Sequence, residues 1–237
     1  MSGMLKAELF KFRNSYMLWV IIGVITASCG ISIVTGTFGS AEQTLVNIAK
    51  DSMVPILACA VYGAIILTDD FSNGMLRHYI ANGYKRESII FAKLIHYILG
   101  CSILLFVYPC VSVLLASVLQ GTQTAFVLVF QKMILLFVKT LPLYWGVFGL
   151  FFLVSVLIQK GVIAAGVSVA VSILLVVFTN RLYAGEISVL RYSPIIQIGE
   201  VADGGAAGAY LIAVLVSLAV LAVCILGSMV KFKHDEL

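Results

Sequence analysis

Tyr210–Val230 reads YLIAVLVSLAVLAVCILGSMV and contains no charged residue. A helix that crosses the roughly 30 Å hydrocarbon core of a bilayer needs about 20 such residues. Hydrocarbon offers the backbone no hydrogen-bond partners, so a segment that is apolar on every face closes its own bonds as a helix. Strands crossing a membrane would instead alternate in character over about ten residues. Working outward, five more runs repeat the pattern: Tyr16–Val34, Met53–Thr68, Leu94–Leu119, Val138–Ile158 (with an apolar approach from Phe126) and Val162–Thr179. The 237 residues are 62% hydrophobic and 11% charged, against about 25% charged in a soluble domain. The expectation is an all-α membrane protein, a single transmembrane domain over residues 1–237 with six spans. The longest polar interval, Asp69 to Ala92, has 24 residues and cannot hold a core of its own.

Lys and Arg set the orientation. With the N-terminus inside, Lys6, Lys11, Arg13, Arg77, Lys85, Arg86, Lys93, Lys160, Lys231 and Lys233 fall on the cytoplasmic side, and Lys50, Lys132, Lys139, Arg181 and Arg191 fall outside. Both termini are therefore expected in the cytoplasm. Residues 1–15 read as an interfacial helix, because Leu5, Leu9, Phe12 and Tyr16 recur at helical spacing while Lys6, Glu8, Lys11 and Arg13 take other faces. Thr26-Ala27-Ser28-Cys29-Gly30 loosely resembles a lipid-attachment box. Cleavage there would leave five spans and place Lys231 and Lys233 outside, so none is expected. His234-Asp235-Glu236-Leu237 spells a retrieval signal that receptors read from a lumen. On the cytoplasmic side it is a coincidence.

Phe126–Ile158 has 33 residues, about 50 Å as a helix. Either it projects on the outer side or it breaks at Pro142, which lacks an N–H. Lys132 and Lys139 share a face; they either snorkel at the outer interface or line a cationic surface for a substrate or lipid headgroup. Residues 180–208 mix Arg181, Glu186, Arg191, Glu200 and Asp203 with aliphatic residues around Pro194. That mixture predicts two short interfacial or re-entrant helices.

Several chemistries are absent. The chain has no Gly-Lys pair and hence no phosphate-binding loop. His78, His96 and His234 are scattered, with His96 read as interfacial. Cys29, Cys59, Cys101, Cys110 and Cys224 lie in apolar runs and read as small buried hydrophobes. No catalytic set, no metal ligands, no cofactor on this chain and no nucleic-acid partner are expected. No carboxylate lies in the middle of an apolar run, which weakens an ion-coupled carrier as the alternative reading; a channel stays open as part of that alternative, though no repeated polar face lines any span.

The interval 69–92 is the most informative. Ser72-Asn73-Gly74 and Asn82-Gly83 offer turn chemistry on either side of a short helix over Met75–Ala81, and Arg86–Phe91 leads into the third span. Asp70, Gly74, Leu76, Arg77, Gly83, Arg86 and Lys93, in this order, resemble the loop between the second and third spans in membrane subunits of ABC type-2 exporters. Asp70 stands where that family more often has glutamate. The N-terminal interfacial helix, the six spans and the outer segment with Ser193-Pro194 are similar too.

The resemblance implies a permease subunit in a plasma membrane, bacterial in type. Its partners would be a separate ATP-binding-cassette ATPase carrying ATP and magnesium, a second membrane subunit (identical or homologous) and the lipid bilayer. The Met75–Ala81 helix would then couple to the ATPase, through Asp70, Phe71, Gly74, Met75, Leu76, Arg77, Tyr79, Ile80, Gly83 and Arg86. The cargo would be amphipathic or hydrophobic, such as an antimicrobial peptide, a lipid-like compound or a drug, with Lys132 and Lys139 as candidate lining.

Overall fold

The computed structural model of the chain describes residues 2–36, 39–50, 53–121, 126–184, 193–202 and 207–234, and among these every regular element is an α-helix. In chain order they are α1 (Ser2–Arg13), α2 (Tyr16–Val34), α3 (Ala41–Lys50), α4 (Met53–Ser72), α5 (Met75–Ala81), α6 (Arg86–Leu119), α7 (Phe126–Ile158), α8 (Gly161–Ala184), α9 (Pro194–Ala202) and α10 (Ala207–His234). Six of them, α2, α4, α6, α7, α8 and α10, are long and apolar enough to cross a membrane. The apolar runs of the sequence thus become helices where expected. Pro55 sits in the first turn of α4, where a missing N–H costs nothing.

α4 and α7 are the most enclosed spans, while α2, α8 and α10 turn most of their surface outward. Outward positions such as Val24, Val162 and Leu215 are exposed and apolar, the surface that lipid tails cover in a bilayer. Association among spans in lipid rests on close packing and interhelical hydrogen bonds rather than on the hydrophobic effect. Three contacts show this.

Between α7 and α10, a Cβ added to Gly146 would lie 2.5 Å from Ser217 Oγ and 2.9 Å from Ser217 Cα, and one on Gly149 would lie 3.0 Å from Leu221 Cα. Only glycine permits that approach. The Ser217 hydroxyl accepts the Gly146 N–H at 2.9 Å and lies 2.9 and 2.8 Å from the carbonyls of Pro142 and Leu143, to which it donates. The Ser217 side chain of α10 thereby bonds backbone groups in the turn after Pro142. A proline takes a donor from the carbonyls of the turn before it, and there Tyr210 OH of α10 donates to the Lys139 carbonyl at 3.0 Å; α7 runs unbroken from Phe126 to Ile158.

Between α4 and α6, Tyr97 lies over Gly63 and Tyr62 over Gly100, so that a Cβ on either glycine would enter the facing ring. The two rings stack at 6.5 Å between centroids, 16° from parallel, and Tyr97 OH donates to the Cys59 carbonyl at 3.4 Å. Between α4 and α8, Ala164, Ser168 and Ser172 form one small, buried face, and a Cβ on Gly161 would meet Thr68 Oγ1 at 3.0 Å. Cys29, Cys59, Cys101 and Cys224 are buried and Cys110 partly so.

Four differences from the sequence reading have physical causes. α4 runs on to Ser72 rather than ending at Thr68, because Asp70 finds cationic partners inside the bundle. α6 begins at Arg86 as one helix with its span. α8 extends past Thr179 to Ala184, taking residues 180–184 out of the expected outer segment. Within that segment α9 is described, whereas residues 185–192 and 203–206, including Glu186, Arg191 and Asp203, lie outside the described residues.

The fourth difference is α3, which the apolar runs did not mark. It buries Ala41, Thr44, Leu45 and Ile48 against α6, α7 and α9. Its start carries a legible signal in Ser40-x-x-Gln43, where Gln43 Oε1 accepts the Ser40 N–H at 3.2 Å, half of a capping box.

Candidate functional site

The short helix expected over Met75–Ala81 forms at those residues. Gly74 and Gly83 bracket it with φ of +65° and +80°, a region that L side chains adopt only at a cost. The chain turns at both ends, so α5 is a separate short element between α4 and α6.

Beneath α5 lies a group of charges that the sequence scatters over 89 positions, from Glu8 to His96. Asp70, 5% exposed at the end of α4, has Oδ1 accepting from Lys11 Nζ of α1 at 2.8 Å, and Oδ2 accepts from Lys93 Nζ of α6. Glu8, 2% exposed on α1, pairs through Oε2 with His96 Nδ1 of α6 at 2.9 Å. Its Oε1 stands 3.9 Å from Lys93 Nζ and 4.0 Å from Lys11 Nζ. Two carboxylates and two ammonium groups therefore balance, with the His96 ring held edge-on to Phe12 at 5.4 Å.

Burial alone would push the Glu8 carboxyl up. The His96 hydrogen bond and the Lys93 and Lys11 charges outweigh it and hold Glu8 below the ordinary carboxylate range. Burial likewise works against charge on Lys11, but hydrogen bonds to Asp70 and Tyr79 and the charges of Asp70 and Glu8 push its pKa up to about 12. Both groups are charged at neutral pH.

Lys11 also belongs to α5. Its Nζ is 3.4 Å from Met75 Sδ and 5.5 Å from the centroid of the Tyr79 ring, a cation–π distance. One ammonium thus touches α1, α4 and α5 together, and Lys93 continues the path into α6. On the far side of α5, Arg86 Nη1 donates to the Phe232 carbonyl at the end of α10 (3.0 Å), and Phe71 meets the Phe232 ring edge-on at 6.0 Å.

Placed against the expected coupling residues, the geometry divides them. Asp70 faces the interior and serves as an anchor. Phe71, Tyr79 and Ile80 are half-buried against the bundle, with Tyr79 packed edge-on to Tyr84 at 6.4 Å. Met75 is exposed, as is His78 one turn on. The side chains of Leu76 and Arg77 lie outside the described residues; their backbone is helical. Gly74 and Gly83 make the turns, and Arg86 ties α6 to α10. Lys132 and Lys139 are exposed on α7, far along the bundle from this cluster. By sequence Glu8 and Lys11 are only polar positions of the interfacial helix and His96 reads as interfacial; the structure buries His96 against Glu8. Their signal in the sequence is weak: an acid and a base on one face of an N-terminal helix, and a histidine three residues after a lysine at the start of a span.

Six membrane-length helices packed around enclosed α4 and α7 define a multi-pass helical membrane protein. No protein-family model matches the chain, and no protein of curated function matches it either.

Proposed function

We propose that this chain is the membrane subunit of an ATP-driven exporter of the ABC type-2 kind. ATP and magnesium are held by a separate ATPase subunit that docks on α5, and a second membrane subunit, identical or homologous, completes the pathway. The chain sits in a bacterial plasma membrane with both termini in the cytoplasm and α1 in the inner interface. The cargo is amphipathic or hydrophobic and moves outward.

The observation that carries this reading is the bond set of Lys11, Asp70 and Lys93. It joins α1, α4 and α6 by charge-assisted hydrogen bonds and reaches the short helix α5 through the Lys11 contacts with Met75 Sδ and the Tyr79 ring. Such bonds are stronger than neutral ones and directional, so displacing α5 moves the inner ends of those helices with it. The Tyr62–Tyr97 stack makes α4 and α6 travel as a pair, and the glycine-lined contact of α7 with α10 gives the motion a stiff partner. A nucleotide-driven shift of the ATPase is thereby converted into rocking of packed helices.

Glu8 and His96 favour the second reading, an ion-coupled carrier or channel, because titratable groups buried within a membrane bundle often serve as relays. Transport into inside-out vesicles separates the two. With ATP and the partner ATPase present and all ion gradients collapsed, uptake proceeds under the exporter reading. Uptake that ignores ATP and follows a proton or sodium gradient assigns the chain to the second.

A further inference from the structure

Helix α1, SGMLKAELFKFR, sorts its residues onto two faces. Met4, Glu8, Lys11 and Phe12, spaced i, i+4, i+7, i+8, turn toward the bundle. Met4 and Glu8 are buried, Lys11 reaches Asp70, and the Phe12 ring meets His96. Lys6, Leu9, Phe10 and Arg13 recur at i, i+3, i+4, i+7 and form the opposite stripe. All four are exposed, Phe10 by 67%. The charges are sorted as well. Glu8 is the one carboxylate of α1, and it is buried against His96. The outward stripe therefore keeps two cations and no acid, with an apolar pair between them.

Connectivity fixes the level of this stripe. Tyr16 opens α2 just after α1 ends; Asp70, which Lys11 contacts, follows the apolar run of α4; and Lys93, which Asp70 contacts, precedes that of α6. Three spans thus meet α1 where their apolar runs end, which is where hydrocarbon gives way to headgroups. Tyr16 and Trp19, in the first turn of α2, are exposed beside the stripe, and aromatic residues of this kind are enriched at that level. Lys11, which touches α5, lies on the other side of α1, so the stripe faces away from α5. Exposed apolar side chains between cations at headgroup depth fit a surface with hydrocarbon beneath and negative charge above.

We propose that Lys6, Leu9, Phe10 and Arg13 form a binding surface for anionic phospholipid, with Leu9 and Phe10 among the acyl chains and Lys6 and Arg13 on phosphates. The inference rests on α1 lying at the membrane interface and is independent of what powers transport. Ion pairs hold one side of α1 to α4 and α6 while lipid holds the other, so lipid charge bears on the cluster that reaches α5.

A photoreactive residue at Phe10 of the full chain, reconstituted in vesicles of equal phosphatidylglycerol and phosphatidylcholine, tests it, with adducts identified by mass. Adducts should favour phosphatidylglycerol on the order of 30-fold, the effect of two basic residues at an anionic surface. The same residue at Leu174, exposed on α8 within a span, should give a ratio near one. Lys6→Gln with Arg13→Gln should bring the ratio at position 10 near one while lipid is still captured, and salt at about 1 M should lower it in the wild-type chain. Both side chains are exposed, so the double variant keeps its fold. Adducts without a phosphatidylglycerol preference, or a preference that survives in the double variant, overturn the proposal and leave α1 at the membrane. Capture of protein or water in place of lipid overturns the interfacial placement along with it.

Discussion

Asp70→Ala is expected to cost about 3–5 kcal/mol of unfolding free energy, the range for breaking a buried ion pair by removing one partner. The loss falls mainly on Lys93, which is 5% exposed and keeps its charge with only Glu8 at 3.9 Å to offset it. Lys11 is less affected, since it reaches solvent. A chain of this size loses most of its margin at that cost, so the variant should be obtained in low yield and unfold at much lower denaturant. Adding Lys93→Met to Asp70→Ala should restore most of the stability, because an apolar pair of similar volume replaces a buried ion pair at little net cost. Reversible unfolding in mixed micelles, compared across the double-mutant cycle, reads this directly. A loss below about 1 kcal/mol for Asp70→Ala, as for a surface pair, would mean that the cluster is solvated and transmits nothing.

Met75→Glu is expected to remove ATPase binding while leaving the fold intact. Met75 is exposed on α5, and its sulfur already lies 3.4 Å from Lys11 Nζ, so a carboxylate there meets a cation and does not destabilise the chain. The same carboxylate placed in the centre of a docking surface must be desolvated on binding. Central positions of interfaces commonly contribute about 2 kcal/mol or more, which is at least about 30-fold in Kd. Met75 is a cleaner probe than Tyr79, whose ring packs on Tyr84 and Lys11 and would disturb α5 itself. Titration of the purified ATPase onto the reconstituted chain, with unfolding measured in parallel, separates the two effects. Equal affinity for wild type and variant would remove α5 from the interface.

The parts of the fold legible in the sequence are those governed by local chemistry. Hydropathy over 20 residues places the spans because the bilayer imposes that length, and Gly74 and Gly83 place α5 because the chain must turn at both. Ser40-x-x-Gln43 could have placed α3, but a ten-residue amphipathic helix hardly changes a hydropathy average. What could not be read are pairings between distant positions. Glu8 and His96 are 88 residues apart, Lys11 and Asp70 are 59 apart, and neither end of either pair announces a partner. Ser217 looked like an ordinary small residue within an apolar run until the structure brought it to the turn after Pro142. The charged face of α1 is instructive in the same way. Its apolar stripe gave an interfacial helix, while the side that meets the bundle combines Met4 and Phe12 with the charged Glu8 and Lys11 and leaves Leu9 exposed.

The central claim, that the work done by this membrane chain arrives through α5, is tested most directly by site-specific photocrosslinking in living cells. A photoreactive residue at His78, exposed on α5, should capture a nucleotide-hydrolysing protein in a single product. The same residue at Lys132, at the opposite end of the bundle, should capture none. Labelling of position 78 from outside the cell, or the absence of any ATPase in its crosslinks, would contradict the account.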